Sequence, residues 1–369
     1  MTTINYHLKN EADIPSPALI FYQDVLEENI QGAIRMAGSA GRLWPHIKTH
    51  KSADVTQLLM ARGISRFKCA TIAEAQMLAD CGAAHILMAY PLVGPNVPRF
   101  LRLIARYPNS TFYAIGDDEN TLSALSDAAV KEGIRVNTLL DVNMGMNRTG
   151  IATAQAPALY AACARMSGLA LCGIHGYDGH HHDGDFALRC QRVKTAMEAL
   201  NAAIDEIKDQ GLACDMLVLA GTPSFPCHAR EPQGYLSPGT VFFMDHGYQS
   251  RHPDLPFTPA AALLTRVVSH PAEGLFTLDL GSKGIATDPA GQRGIIVGLP
   301  QAEVVSQSEE HWVWRMPGGD ARPEIGQVLY VIPTHICPCV ALYDKALAAK
   351  DGVITAVWPI TARNRMLDI

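Results

Sequence analysis

Apolar runs of five to nine residues alternate with longer stretches in which apolar residues recur every three or four positions. The runs RLWPHIKT, RFKCAT, HILMAY, TFYAIG, RVNTLLDVN, LALCGIHGY, DMLVLAG and TVFFMD read as strands. Between most of them lie helical patterns: SADVTQLLMARG, PRFLRLIARYP, ENTLSALSDAAVKEG and the long FALRCQRVKTAMEALNAAIDEIKDQG. Thr71 and Glu74 open the helix after RFKCAT at the spacing of a capping box, in which each side chain satisfies a free backbone N–H. Eight strands with interleaved helices predict a (β/α)8 TIM-like barrel, its last crossover, SFPCHAREPQGYLSPG, an irregular loop.

The pattern changes near Ser250. LLTRVVSH, LFTLDLG, RGIIVGL, HWVWRM, QVLYVIP and VITAVWP are short β-like runs parted by turn residues, which predicts a C-terminal, mostly antiparallel β domain. The opening run PALIFY precedes the barrel and could join it. By domain, residues 23–249 are expected to form the barrel, and residues 1–22 with 250–369 the β domain.

Composition agrees with two domains. A chain of 369 residues with 48% hydrophobic and 18% charged residues buries more than one small core. A formal net charge of -6 argues against nucleic acid or an anionic membrane as partner, and no run reaches the apolar length of a membrane span. The start shows no secretory pattern, and the nine scattered cysteines, Cys163, Cys172 and Cys190 among them, read as reduced, buried thiols of a cytoplasmic protein.

Barrels of this kind carry their chemistry at the C-terminal strand ends. Strand one ends in His46-Ile47-Lys48-Thr49-His50-Lys51; alternation places Lys48 with His46 and His50, opposite Ile47. Gly221-Thr222 after strand seven and Gly239-Thr240 before strand eight are each ordinary turns when taken alone. Together they fit a phosphate, since glycine admits backbone N–H groups and threonine adds a hydroxyl. A lysine crowded by cations plus a phosphate site points to pyridoxal 5′-phosphate, with Lys51 the competitor of Lys48. Farther on, His335 and Cys337 stand two apart on a segment expected to be extended and so share a side. Both are zinc-type ligands, although a buried thiol beside a core histidine has the same spacing.

PHIKTHK, followed in order by DVNMGMNRTG, GIHGYDGH, AGTPSF, SPGTVFFMD, LDLGSKG, SEEH and PTHICPCVALYD, resembles the D-threonine aldolase and D-serine dehydratase family over nearly the whole chain. These are fold-type III pyridoxal-phosphate enzymes with an alanine-racemase-like barrel. The resemblance implies Lys48 as the Schiff-base lysine, Arg148 near the cofactor's phenolic oxygen, and Tyr177 beside its pyridine ring. It also implies phosphate loops at Gly221, Thr222, Gly239 and Thr240, a divalent metal on His335 and Cys337, and a homodimer. Family aldolases carry aspartate where this chain has Cys337. A thiolate there favours zinc over manganese, and with it a dehydratase converting D-serine- or D-threonine-type substrates to a 2-oxo acid and ammonia. The alternatives are aldolase cleavage of a D-3-hydroxy amino acid to glycine and an aldehyde, a racemase, and a non-catalytic cofactor-binding protein. The chain departs from the family at Trp44, where arginine is usual, and at Cys339, where threonine is usual. His50 and His175 are candidate bases. His181 and His182, in the run His180–Asp183, are candidate substrate contacts.

Overall fold

The computed structural model describes residues 4–319 and 321–365. The chain divides into two units. One comprises Ala33–Lys48, Val55–Gly239 and the described residues from Ala362 onward. The other comprises the described residues to Gly32, Thr49–Asp54 and Thr240–Thr361. No helix among the described residues is long and apolar enough to cross a membrane.

The first unit is the barrel. Its parallel staves are Arg66–Cys69, His85–Met88, Thr111–Gly116, Val136–Asn143, Leu169–Tyr177, Met216–Leu219 and Tyr235–Leu236, each hydrogen-bonded to the next. The ring closes through the predicted first strand, which is reduced to two parallel bridges, Leu43 with Leu236 and His46 with Lys68. Backbone bonds from Trp44 N to Leu236 O (2.7 Å), His46 N to Pro238 O (3.2 Å) and Lys68 N to Pro45 O (2.8 Å) complete it. Pro45 has no N–H to give, which interrupts the ladder between these two bridges.

Two expectations change here. The eighth stave is Tyr235–Leu236, inside the stretch expected to be loop. TVFFMD, expected to be that stave, begins with the 3-10 turn Thr240–Phe242. Gly239-Thr240 therefore follows strand eight instead of preceding it, which puts the pair at a C-terminal strand end. The expected loop also contains the short helix Phe225–His228. Cys227 on it is disulfide-bonded to Cys190 of the helix Phe186–Asp209, with Cα atoms 5.1 Å apart. The expectation that all nine cysteines are reduced is thus corrected for these two.

Local sequence explains the helix starts. Asp118, Asp185 and Thr71 accept from the backbone N–H groups of Thr121 (2.8 Å), Leu188 (2.9 Å) and Glu74 (3.1 Å). Glu74 returns the bond one residue earlier than expected, accepting from Ala70 N at 2.6 Å. Trp44 fills the barrel. It is fully buried with Leu87, Tyr113, Ile115, Leu139 and Val218, and its indole N–H donates to Phe67 O at 2.8 Å. Arg66 lies with its Cζ 5.4 Å from the centre of the Trp44 ring, a cation over an aromatic face.

The second unit is a nine-stranded sheet in the order Glu303–Gln307, Trp312–Arg315, Leu275–Leu278, Ala261–Ser269, Ala18–Tyr22, Lys345–Lys350, Val353–Pro359. Val328–Pro333 also pairs with Ala261–Ser269, and Gly294–Ile296 with Val328–Pro333. Ala18–Tyr22, the core of PALIFY, belongs to this sheet and not to the barrel. Its pairing with Lys345–Lys350 is parallel; the others are antiparallel.

Candidate active site

A bulge sets the geometry of the barrel site. Thr138 pairs with Leu171 but Leu139 with Gly173, so one residue of the strand Leu169–Tyr177 is extra. Gly173 has φ 149°, and a Cβ there would collide with Met216 O. Beyond the bulge, Asp141 pairs with His175 and Asn143 with Tyr177. His175 and Tyr177, two apart, share a face.

On that face the polar side chains meet. His175 Nδ1 lies 2.6 Å from Asp141 Oδ1, and His175 Nε2 lies 3.1 Å from Lys68 Nζ. Burial, then the charge of Lys68, hold His175 below its usual pKa against the pull of Asp141. The neutral ring therefore donates from Nδ1 and accepts at Nε2. Lys68 is 2% exposed and also donates to Ser237 Oγ at 2.8 Å. Burial, then the neighbouring charge of Lys48, bring Lys68 down to about 7.

Lys48 sits in the 3-10 turn Ile47–Thr49, half-buried. The strand ends at His46, so alternation does not place Lys48; the turn does. Its Nζ lies 5.8 Å from the centre of the Tyr177 ring, with Lys68 Nζ at 5.2 Å and Arg148 Cζ at 4.8 Å from the same point. Glycine lets the neighbouring backbone pack closely against that ring. A Cβ at Gly179 would collide with the Tyr177 hydroxyl, and one at Gly221 would come within 3.0 Å of the ring. Three basic side chains gathered around one aromatic ring fit a flat anionic ligand such as pyridoxal phosphate.

The loop after strand seven is braced from below. Ser224 Oγ donates to Asp178 Oδ1 (2.5 Å) and accepts from Gly221 N (3.0 Å), and His228 Nε2 lies 2.7 Å from Asp178 Oδ2. Burial pushes Asp178 up, but His228 and Ser224 outweigh it and hold its carboxyl below the usual range. The Gly221 N–H is thus committed to Ser224 in this structure. Thr222 is buried beside it.

The β unit carries the second cluster. His335 is extended, but Cys337 lies in the first turn of the helix Ile336–Val340, so the expected extended segment is replaced by a helix start. The two side chains nevertheless interact electrostatically. Burial pushes His335 down, but Cys337, Asp245 and Asp288 outweigh it and raise it to about 9. Burial pushes Cys337 up, but His335 and the hydroxyls of Thr240 and Thr49 outweigh it and lower it. Thr49 Oγ1 is 3.2 Å and Thr240 Oγ1 3.5 Å from Cys337 Sγ. A thiolate beside an imidazole suits a soft or borderline divalent metal. No group of three or more His, Cys, Asp or Glu able to hold a metal exists among the described residues, so other ligands would complete the shell. Cys339 is no part of this pair: it is fully buried, accepts from Ala286 N at 3.3 Å, and is pushed up to about 12 by burial.

Other expected residues are placed differently. His50 is 1% exposed, stacks on Phe243 with ring centres 6.0 Å apart, and is brought down to about 3 by burial. Its Nδ1 accepts from Ser52 N at 3.2 Å. A neutral core histidine of this kind is a poor base. His181 is buried against His180, with Nε2 lacking a hydrogen-bond partner; His182 is exposed. Lys68, Asp141 and Ser237 were not singled out from the sequence. The available signal was a lysine in the middle of the stave RFKC, between Phe67 and Cys69, which are both fully buried.

The alanine racemase N-terminal domain model matches residues 22–247, and the model described as "Putative serine dehydratase domain" matches residues 260–349. The chain is 28% identical to the D-threonine aldolase of Arthrobacter sp over 96% of its length and 94% of the relative's. The structure of the D-threonine aldolase from Filomicrobium marinum superposes with a TM-score of 0.89 at 29% identity, covering 95% of this chain and 96% of that one. The D-threo-3-hydroxyaspartate dehydratase of Delftia sp. is 24% identical over 93% of this chain and 96% of its own. Its structure shares the fold with a TM-score of 0.83 over 95% of this chain and 98% of that one, and a mutant of it has been solved in a metal-free form. The chain belongs to the alanine racemase N-terminal domain family and is, within it, an enzyme of the D-threonine aldolase and D-3-hydroxyaspartate aldolase and dehydratase group.

Proposed function

We propose that this enzyme cleaves D-3-hydroxy amino acids to glycine and an aldehyde, with pyridoxal 5′-phosphate on Lys48 and a divalent metal on His335 and Cys337. The observation that carries the reading is the Lys48 amine 5.8 Å from the centre of the Tyr177 ring, with Lys68 and Arg148 gathered around the same ring. The whole-length likeness to D-threonine aldolases supports the retro-aldol direction over the dehydratase expected from Cys337. When bound, the cofactor supplies an electron sink and the metal a Lewis acid for the substrate hydroxyl.

The chain's own residues do the rest. Lys48 anchors the cofactor. Tyr177 and Arg148 orient its ring and balance its phenolic oxygen. Thr222 is a hydroxyl donor for its phosphate, with Gly221 and Gly239 keeping the two loops free of side chains. The Asp178–Ser224–His228 set holds the first of these loops in place. His335 and Cys337 hold the metal, the thiolate kept ready by the Thr49 and Thr240 hydroxyls. His181 and His182 are assigned to the substrate's polar end. His50, neutral and buried, is left out of proton transfer.

Dehydration is the second reading, and Cys337 is what favours it, since soft sulfur selects zinc. The test is product analysis. Protein loaded with cofactor and metal is given D-threonine, D-serine and D-threo-3-hydroxyaspartate, and glycine, aldehyde, ammonia and 2-oxo acid are assayed together. Glycine with aldehyde in equal amounts is expected. Ammonia with 2-oxo acid would replace the aldolase reading by the dehydratase.

A further inference from the structure

Lys68 is a second lysine in the barrel site, and its surroundings are unlike those of a structural ion pair. It comes from the stave Arg66–Cys69, whose backbone pairs with His46. The charged and titratable groups facing it are Lys48 from the turn Ile47–Thr49, Asp141 from Val136–Asn143, and Arg148 from the loop that follows. His175 and Tyr177 face it from Leu169–Tyr177, and Asp178 from just beyond. Lys48 and Arg148 oppose its charge; Asp141 and Asp178 favour it. Neither aspartate makes a hydrogen bond to it among the described residues. The nearer carboxyl reaches it through the His175 ring.

The hydrogen-bond inventory is restrictive. His175 is neutral with its proton on Nδ1 toward Asp141, so Nε2 can only accept. Ser237 Oγ is 2.8 Å from Leu219 O and 2.9 Å from Ala220 O, so its proton goes to a carbonyl and its oxygen accepts. Lys68 therefore gives two N–H bonds at all times, one to each. The third position on Nζ holds a proton in the ammonium and a lone pair in the amine, and the described residues offer it no acceptor. A nitrogen fixed by two donated bonds and free in its third is built to exchange one proton in one direction.

We propose that Lys68 is a proton-exchanging residue of this enzyme, working on the cofactor and substrate bound at Lys48, with Asp141, His175 and Ser237 as its positioning residues. The proposal rests on the reading of Lys48 as the cofactor lysine. In the retro-aldol reaction the substrate hydroxyl loses a proton, the Cα–Cβ bond breaks to release the aldehyde, and Cα gains a proton to give glycine. Lys68 as the amine takes a proton and becomes the ammonium. The ammonium gives one back, so the reaction leaves Lys68 unchanged and consumes no external acid or base.

The experiment uses the full chain loaded with pyridoxal phosphate. Absorption spectra are recorded from about pH 5 to about pH 9 for the wild type, Lys68→Met and Lys68→Arg, and borohydride reduction with peptide mapping locates the cofactor. The wild type is expected to show a spectral transition within this range. Both variants are expected to lose it while still carrying the cofactor on Lys48, and to lose kcat by about 100-fold or more at neutral pH. A transition with the wild-type midpoint in either variant overturns the role of Lys68. So does its absence from the wild type, a result that needs no variant to fold. Reduction that labels a residue other than Lys48 would instead overturn the functional reading, so the two failures are told apart.

Discussion

At the scale of single residues, the informative positions are those where a side chain is unusual for its place. Trp44 stands where the family resemblance leads one to expect arginine, and it plugs the barrel with rings from Tyr113 and Tyr235 packed edge-on at 5.2 Å and 5.3 Å. A cation, Arg66, lies over the same ring. Trp44→Ala should cost about 3–5 kcal/mol, as the loss of a fully buried large aromatic leaves a cavity the closed sheet cannot collapse into; urea unfolding measures it. In the proposed metal pair, Cys337 would set the softness of the site. Cys337→Asp should lower the ratio of zinc to manganese retained after equal exposure to both, read by metal analysis of the washed protein; an unchanged ratio would mean the thiolate is not a ligand. Lys48, Arg148, Tyr177 and the His335–Cys337 pair were legible as candidates, because short motifs and the resemblance they carry single them out. Lys68 and Asp141 were not, because their significance comes from strands that meet only in the closed barrel.

At the scale of elements, the sequence reading succeeds where periodicity is long and fails where pairing is tertiary. Thr111–Gly116 and Leu169–Tyr177 coincide with their predicted runs, since apolar content and flanking turns leave no alternative. Lys345–Lys350, KALAAK, was not expected as a strand: its residues favour helix, and the strands on either side override that preference. Tyr235–Leu236 was hidden by its brevity. The bulge at Gly173 is the element on which the barrel chemistry depends, because it sets the register that brings His175 opposite Asp141. Gly173→Ala should therefore do two things. It should destabilise by roughly 3 kcal/mol or more, from collision with Met216 O added to a disfavoured φ, and it should abolish the neutral spectral transition if the protein folds. Gly211→Ala is the control: its φ is 77° but nothing lies within 4 Å of the added Cβ, so a cost of about 1–2 kcal/mol from backbone strain alone is expected.

At the scale of the whole molecule, the chain passes from one unit to the other between Lys48 and Thr49 and again between Gly239 and Thr240. Both passages fall within motifs that the sequence marks as chemical. The same passage carries His50 into the β unit's core, and that has a consequence for stability. His50 titrates at about 3 in the folded protein and 6.5 in its ordinary state, so between those values the unfolded chain binds a proton that the folded one does not. Stability from this group is complete above about 6.5 and is lost as pH falls toward about 3, at no more than about 1.4 kcal/mol per pH unit. His175, His181, His246 and His85 are lowered by burial and act in the same direction. Asp245, raised to about 6 by burial, acts in the opposite direction: as pH falls from about 6 toward 3.8 the folded state takes up its proton first and gains stability. Asp54, raised by burial, acts with Asp245, and so does His335, raised to about 9, chiefly above 6.5. Below that the five lowered histidines outweigh the two aspartates, so unfolding free energy should fall from about pH 6.5 to about pH 5. His50→Asn keeps an acceptor for Ser52 N but cannot take up a proton, and should flatten that slope by up to one proton's worth. Urea unfolding across this range, at constant cofactor concentration, compares the two slopes, and parallel slopes would mean that His50 is not the neutral buried group this structure makes it.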